Sequence, residues 1–250
     1  MSEHTYNMLI APDFSPERFA GWHMFNTLMQ KRADMHLHLV TPASYTEQEE
    51  KINAGNIDLI YANPFDAATL IREKGYRAIA RPVGKSDEMV IAAAEKSAIN
   101  TLEDLSKGAT VAMADNRDVK LIGLRLLEAV DLEESDLNWE VTENYQAAAR
   151  KVIKDEAQAA MFLAEVFHGL SRLTKMQLTV LIESDLATIS HVLLVKDGFD
   201  KEDELTQAVL DFHKDDEGKA TLTELGMAEG FEAMSEEDAE FMIDLMETLQ

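Results

Sequence analysis

Gly55-Asn56-Ile57-Asp58-Leu59-Ile60-Tyr61-Ala62-Asn63-Pro64-Phe65-Asp66 decides how the chain is read. Ile57 to Tyr61 is a short apolar run rich in strand formers, which predicts a buried strand. Asn63 suits a helix N-cap, and Pro64 suits the first helical position, where the missing N–H costs nothing. A strand that runs straight into a capped helix leaves backbone N–H groups at the carboxyl edge of a sheet, where α/β proteins bind small ligands. The same unit recurs in both directions along the chain.

Toward the N-terminus, Tyr6 to Ala11 reads as a strand and Pro12-Asp13-Phe14 as a turn. Ser15-Pro16-Glu17 is expected to cap a helix with Phe19, Trp22, Phe25, Leu28 and Met29 on its apolar stripe. A strand over Met35 to Thr41 and a short helix opened by Thr46-Glu47-Gln48-Glu49 complete the approach to residue 55. Beyond the helix from Pro64, strands are expected at Tyr76–Pro82, Met89–Ala94, Ala109–Ala114, Leu137–Thr142, Ala157–Leu163, Leu178–Ile182 and His191–Val195. Between them, Thr101 to Asp104 forms a capping box, Val119 to Val130 a helix, and Asn144 a cap for Tyr145 to Ile153. After residue 195 the chain reads as helical. Alternating strands and helices mean mainly parallel sheets. About ten strands are too many for one small doubly wound domain. Two α/β lobes are therefore expected, residues 1–83 with 190–250 and residues 84–189, joined by two crossings.

Bulk numbers narrow the function. A net charge of −24, from 47 acids against 23 bases, repels nucleic acid and anionic lipid, so neither is an expected partner. With no cysteine in the 250 residues, disulfides, thiolate metal sites and cysteine nucleophiles are excluded. No apolar run reaches the roughly 20 residues of a membrane span. Met1 to Asn7 carries neither a basic n-region nor an apolar h-region, so the protein is expected to be cytoplasmic as written, or periplasmic if a leader was trimmed. Elbow, Walker A, dinucleotide and zincin signatures are missing, and no cofactor is expected. His36 and His38 share one strand face without a visible third ligand, and His23, His168 and His213 sit on helices without partners at ligand spacing, so no metal site is expected.

In order and spacing the chain resembles the phosphate/phosphonate-type solute-binding proteins of ABC transporters, which have the two-lobed type II periplasmic-binding-protein fold. The likeness rests on Ala11-Pro12-Asp13, Gly55-Asn56-Ile57-Asp58-Leu59, Leu102-Glu103-Asp104-Leu105-Ser106-Lys107-Gly108 followed by Val111-Ala112, and Ala208-Val209-Leu210 with Asp216-Glu217-Gly218-Lys219. It implies an α/β protein with a ligand cleft between lobes and a transporter or signalling partner. Three stretches depart from the family. Asp115-Asn116-Arg117-Asp118-Val119-Lys120 stands where phosphonate binders carry a Ser/Thr run, Asp155-Glu156-Ala157-Gln158-Ala159 stands for a Gly-Glu-Ala-Asp-Ala pattern, and Glu143-Asn144 stands for His-Asp. The fold therefore transfers better than the phosphonate specificity.

In such a binder the guest meets N-caps and helix-end N–H groups of facing turns. The candidates are Asp13, Ser15, Tyr61, Asn63, Ser86, Asn116, Arg117, Asn144, Tyr145, Glu183 and His191. Ser15, Asn63 and Asn144 can equally be caps alone. Arg117 opposes its helix dipole, which either a bound oxyanion or Asp115 and Asp118 would offset. Tyr61 and Tyr145 can face a ligand or pack at a rim. The main expectation is non-catalytic binding of a small polar or anionic ligand with hinge closure. One rival is a cytoplasmic enzyme on the same scaffold, like the chorismate dehydratase of a menaquinone pathway, using Glu183 or His191. Another is a module that binds a protein.

Overall fold

Leu59–Ala62 forms strand β3, and all four residues are buried because helices cover both faces. Leu59 and Tyr61 join one apolar cluster with Trp22, Phe25, Leu193, Phe212 and Phe231. Ile60 and Ala62 join another, with Leu9, Leu70, Val192, Leu194 and Met242. Successive strand side chains point to opposite faces, so a strand apolar at every position needs two covers. Each fully buried Leu or Ile contributes about 1.5–3 kcal/mol to that layering.

The computed structural model describes residues 4–13, 18–185 and 188–249. It forms two compact units, Met1–Lys85 with Ser190–Glu247, and Ser86–Ile189 with Thr248–Gln250. In unit 1, β1 (Thr5–Ile10), β2 (His36–Val40), β3, β4 (Tyr76–Pro82), β10 (Val192–Lys196) and β11 (Phe231–Ala233) build a sheet of order β11-β4-β10-β3-β1-β2. In unit 2, β5 (Met89–Ala94), β6 (Thr110–Ala114), β7 (Asn138–Thr142), β8 (Ala159–Leu163) and β9 (Leu178–Glu183) follow the order β7-β6-β8-β5-β9.

The two orders are one plan used twice. In each sheet the first strand lies between the second and third, and an inserted antiparallel strand separates the third from the fourth. The inserted strands are β10, antiparallel to β3 and β4, and β5, antiparallel to β8 and β9. They are the strands with which the chain returns to unit 1 and enters unit 2. The carboxyl ends of the parallel strands and the amino end of the inserted strand therefore share one edge in each sheet.

Helices cover the sheets: α1 (Phe19–Arg32), α2 (Tyr45–Asn53), α3 (Pro64–Glu73), α8 (Glu202–Leu210), α9 (Asp216–Glu224) and α10 (Glu236–Leu249) belong to the N- and C-terminal parts. α4 (Arg117–Leu127), α5 (Tyr145–Ile153), α6 (Ala164–Gly169) and α7 (Arg172–Lys175) lie in the middle. The alternation repeats in unit 2, where Val111, Met113 and Met161 face one cluster and Ala112, Ala160 and Phe162 the other.

Two local readings need correction. The residues after 195 are not all helical, because Phe231–Ala233 pairs antiparallel with β4; three residues are too few to show a period. Helix α2 is capped by Ser44, whose side chain accepts the Glu47 N–H, two residues before the expected Thr46. The Thr101 capping box is present as expected and closes one 3-10 turn, Leu102–Asp104. The expected cap at Ser15-Pro16-Glu17 lies outside the described residues. Among the described residues, no helix is long and apolar enough to cross a membrane.

Candidate functional site

At the edge of the unit 1 sheet, pairing runs one residue past β1, with the Ala11 N–H donating to the Tyr61 carbonyl at 3.0 Å. Pro12 and Asp13 then turn away. Val192 pairs with Ala62, which brings Ser190 and His191 to the same edge. His191 Nε2 donates to Asp13 Oδ2 at 3.0 Å, with side-chain exposures of 12% and 2%. Asp13 Oδ1 is buried with no hydrogen-bond partner among the described residues, and so is Ser190 Oγ. The His191 ring stacks on Tyr61, centroids 5.5 Å apart at 26°. Tyr61 itself turns into the core, 2% exposed, against Trp22 at 4.8 Å, with its hydroxyl 3.9 Å from Met227 Sδ.

Asn63 caps α3, as its place before Pro64 predicts. Its Oδ1 accepts the Asp66 N–H at 2.8 Å and its Nδ2 donates to Asp66 Oδ2 at 3.0 Å. Gln48 Nε2 donates to the same Oδ2 at 2.6 Å. Both of Asn63's functions are thus spent inside unit 1. Ser15 lies outside the described residues.

The edge of unit 2 carries two more Asn caps. Asn116 Oδ1 accepts the Val119 N–H at 3.0 Å at the start of α4, and Asn144 Oδ1 accepts the Ala147 N–H at 2.9 Å at the start of α5. Capping consumes the acceptor and leaves the amide NH2 donors at the edge. Arg117 is exposed in the first turn of α4, and Asp118, beside it, is buried. An acid in that turn complements the dipole that Arg117 opposes. Tyr145 is half-buried against Phe162, 6.2 Å between rings. Ser86 is half-buried at the first crossing, next to Asp87, whose N–H donates to the Ile189 carbonyl at 2.7 Å.

Glu183 is exposed and meets His168 Nε2 at 2.8 Å, a pairing that the spacing of the two residues does not signal. Ser184, next in the chain, accepts the Met89 N–H at 2.9 Å and donates to Glu88. The structure therefore brings Asp13, Tyr61, Asn63 and His191 to one edge of unit 1. It brings Ser86, Asn116, Arg117, Asn144, Tyr145 and Glu183 to unit 2. Sequence reasoning named Asp13 and His191 but missed that they form a pair, and it missed Ser190, Gln48 and Asp66 altogether. No spacing rule links residues 178 positions apart; the signal would have been the placement of an inserted strand beside β3.

Chemically, the unit 1 edge presents the Asp13 carboxylate, the Ser190 hydroxyl, the His191 ring and the start of α3, and unit 2 presents the Asn116 and Asn144 amides and the Arg117 guanidinium together with the Glu183 carboxylate. His36 and His38 lie exposed on β2, and among the described residues no three His, Asp or Glu stand together as a metal set. A surface groove beside α8 is lined by two ion pairs, Arg32 to Asp215 at 2.7 Å and Lys214 to Asp211 at 2.6 Å, together with Asp203 and Glu204.

Known proteins agree with this architecture. A binding-protein component of an ABC phosphonate transporter from Pseudomonas aeruginosa is 16% identical, over 99% of this chain and 87% of that one, with a TM-score of 0.80. PhnD1 from Prochlorococcus marinus, solved with methylphosphonate, is 14% identical over 98% of both chains, with a TM-score of 0.81. The aliphatic sulphonate binding protein SsuA of Escherichia coli is 16% identical over 99% of this chain and 88% of that one, with a TM-score of 0.66. At these identities the likeness concerns the fold. No curated protein matches the sequence. The model of the ABC transporter phosphonate periplasmic substrate-binding proteins matches residues 8–239, so the chain belongs to that family, whose members bind substrates for transporters and are not enzymes.

Proposed function

We propose that this protein captures a small polar or anionic ligand by closing its two units around it, and passes the ligand to a membrane transporter or reports it to a signalling partner. The units act as lobes, and the crossings near residues 85 and 190 act as the hinge. The observation that carries this reading is the Asn cap repeated at the carboxyl ends of β3, β6 and β7. Each helix N-terminus adds partial positive charge, and in unit 2 the caps leave amide donors beside Arg117. Asp13 and His191 contribute from unit 1, and Ser86, Asn116, Arg117, Asn144, Tyr145 and Glu183 from unit 2. A ligand favours closure because only the closed state lets both sets engage it. A periplasmic location would follow from the family's usual place.

Thermal-shift screening against phosphonates, sulfonates, carboxylates and amino compounds tests the reading. A ligand at 100 times its Kd stabilises the native state by about 2.7 kcal/mol. X-ray scattering with the best hit should then show a smaller radius of gyration. A screen without a hit, or a hit that leaves the scattering unchanged, refutes the proposal.

A further inference from the structure

Four strands close the ends of the two sheets, β2 and β11 in unit 1 and β7 and β9 in unit 2. An edge strand offers unpaired N–H and C=O groups to any other strand, and charged side chains along it are a common guard. β2 carries His36 and His38, β11 carries Glu232 and β7 carries Glu140. β9 runs Leu178-Thr179-Val180-Leu181-Ile182 without a charge and meets one only at its last residue, Glu183. The Glu95 N–H donates to the Gln177 carbonyl at 2.9 Å, and Thr179 stands opposite Ala93. Gln177 and Thr179 therefore turn their backbone groups to β5, and Leu178 and Val180 turn theirs outward. Among the described residues no strand lies on that outer side. The register shift of β9 falls after Val180, so it leaves this stretch straight. Val180 is exposed, and so are Leu173 in α7 and Met176 just after it.

We propose that two copies of this chain pair through β9, antiparallel, about a two-fold axis at Thr179. In that register Leu178 of each copy lies opposite Val180 of the other. Both residues point outward, so each such pair exchanges both of its N–H···O=C bonds. Charge selects a second copy as the occupant. Arg172 and Lys175 precede the strand, Glu183 ends it and Asp185 follows. An antiparallel mate sets the basic end of each strand beside the acidic end of the other, and opposite charges across a strand pair stabilise it. Leu173 and Met176 then lose water against the mate. The proposal adds a partner surface and does not depend on the ligand reading.

Sedimentation velocity of the full chain, without ligand, tests this. In about 0.15 M NaCl, repulsion between the copies is screened beyond about 8 Å. The weight-average mass of the wild type should climb toward twice the monomer as concentration rises. Val180→Lys should weaken the dimer at least ~10-fold, because lysine on an edge strand blocks pairing. Lys175→Glu and Glu183→Lys should each weaken it at least ~5-fold, and the double variant should regain the wild-type value. If a variant lacks the wild-type circular dichroism, amide hydrogen exchange of the wild type decides: exchange at Leu178 and Val180 should slow with concentration. A wild type that stays monomeric leaves this edge to another partner and overturns the proposal. So does a Val180→Lys dimer as tight as the wild type, a double variant no tighter than the single ones, or exchange at Leu178 and Val180 that ignores concentration.

Discussion

Replacing Asn63 with alanine tests the unit on which the fold is built, a strand running into a capped helix. The substitution removes the acceptor for the Asp66 N–H, 2.8 Å away, and the donor to Asp66 Oδ2, 3.0 Å away, at a residue only 1% exposed. Loss of an Asn cap costs about 1 kcal/mol. Loss of a hydrogen bond to a carboxylate costs a further 1.5–2 kcal/mol or so, because water does not readily replace a buried donor. Gln48 still holds Asp66 at 2.6 Å, which prevents a larger penalty. The sum is about 2.5–3 kcal/mol off the stability of unit 1. Two units need not unfold together, so the readout must belong to one of them. Trp22 lies in the unit 1 core and Trp139 in unit 2. Urea melts followed by tryptophan emission in a Trp139→Phe background therefore report unit 1. Asn63→Ser keeps a capping oxygen and should recover about 1 kcal/mol of the loss. An Asn63→Ala midpoint equivalent to less than about 0.5 kcal/mol, or a Ser variant as weak as the Ala variant, refutes the reasoning.

Three further outcomes follow from local geometry. A Cβ on Gly218 would stand 1.7 Å from the Phe212 carbonyl oxygen, so Gly218→Ala should cost about 3 kcal/mol or more and expose Trp22 at lower urea, whereas Gly123→Ala, which meets only the flexible ends of Met161 and Met89, should cost about 1–3 kcal/mol in unit 2. The Tyr6 phenol is pushed up to about 12 by its hydrogen bond to Asp200 and then by burial, and Tyr76 is pushed up to about 12 by burial and then by Asp58. Both phenols stay neutral in the native state above the unfolded value, so their contribution is complete below about pH 10 and is lost as pH rises toward 12; absorbance titration should show a late phenolate phase that shrinks in Tyr6→Phe. Arg72 reaches Glu240 at 2.8 Å, Asp244 at 3.3 Å and Glu247 at 3.5 Å while itself 40% exposed, so Arg72→Ala should cost under about 1 kcal/mol in low salt and almost nothing in 1 M NaCl.

The fold was legible where one residue type did one job. Asn63 before Pro64 and Asn144 before Tyr145 each cap the helix they precede, because a side-chain oxygen two or three residues from an unpaired N–H is a purely local match; Asn116 does the same for α4, which starts at Arg117 and not at the expected Val119. Leu59–Ala62 and Val192–Val195 are apolar at every position, which signals a strand covered on both faces. The hidden parts depend on partners far along the chain. β11 is three residues long, and it is a strand only because β4 lies beside it. The antiparallel sense of β5 and β10 cannot be read from their own residues, since a buried run looks alike in either direction.

The candidate site divides along the same line. Asp13 and His191 could each be named from a turn and a strand start, but 178 residues separate them, and the 3.0 Å contact exists because β10 inserts next to β3. Tyr61 reads as an aromatic at a sheet end, yet the strand's alternation turns it inward with Leu59, onto the cluster that holds Trp22 and Phe231. Ser190 carries no signal in sequence, because what distinguishes it is a missing donor. A sequence shows which groups can donate or accept; only packing shows which are left unmet. Those unmet groups are Asp13 Oδ1 and Ser190 Oγ, a carboxylate oxygen and a hydroxyl on residues that the return of β10 beside β3 brings to the carboxyl edge of the unit 1 sheet.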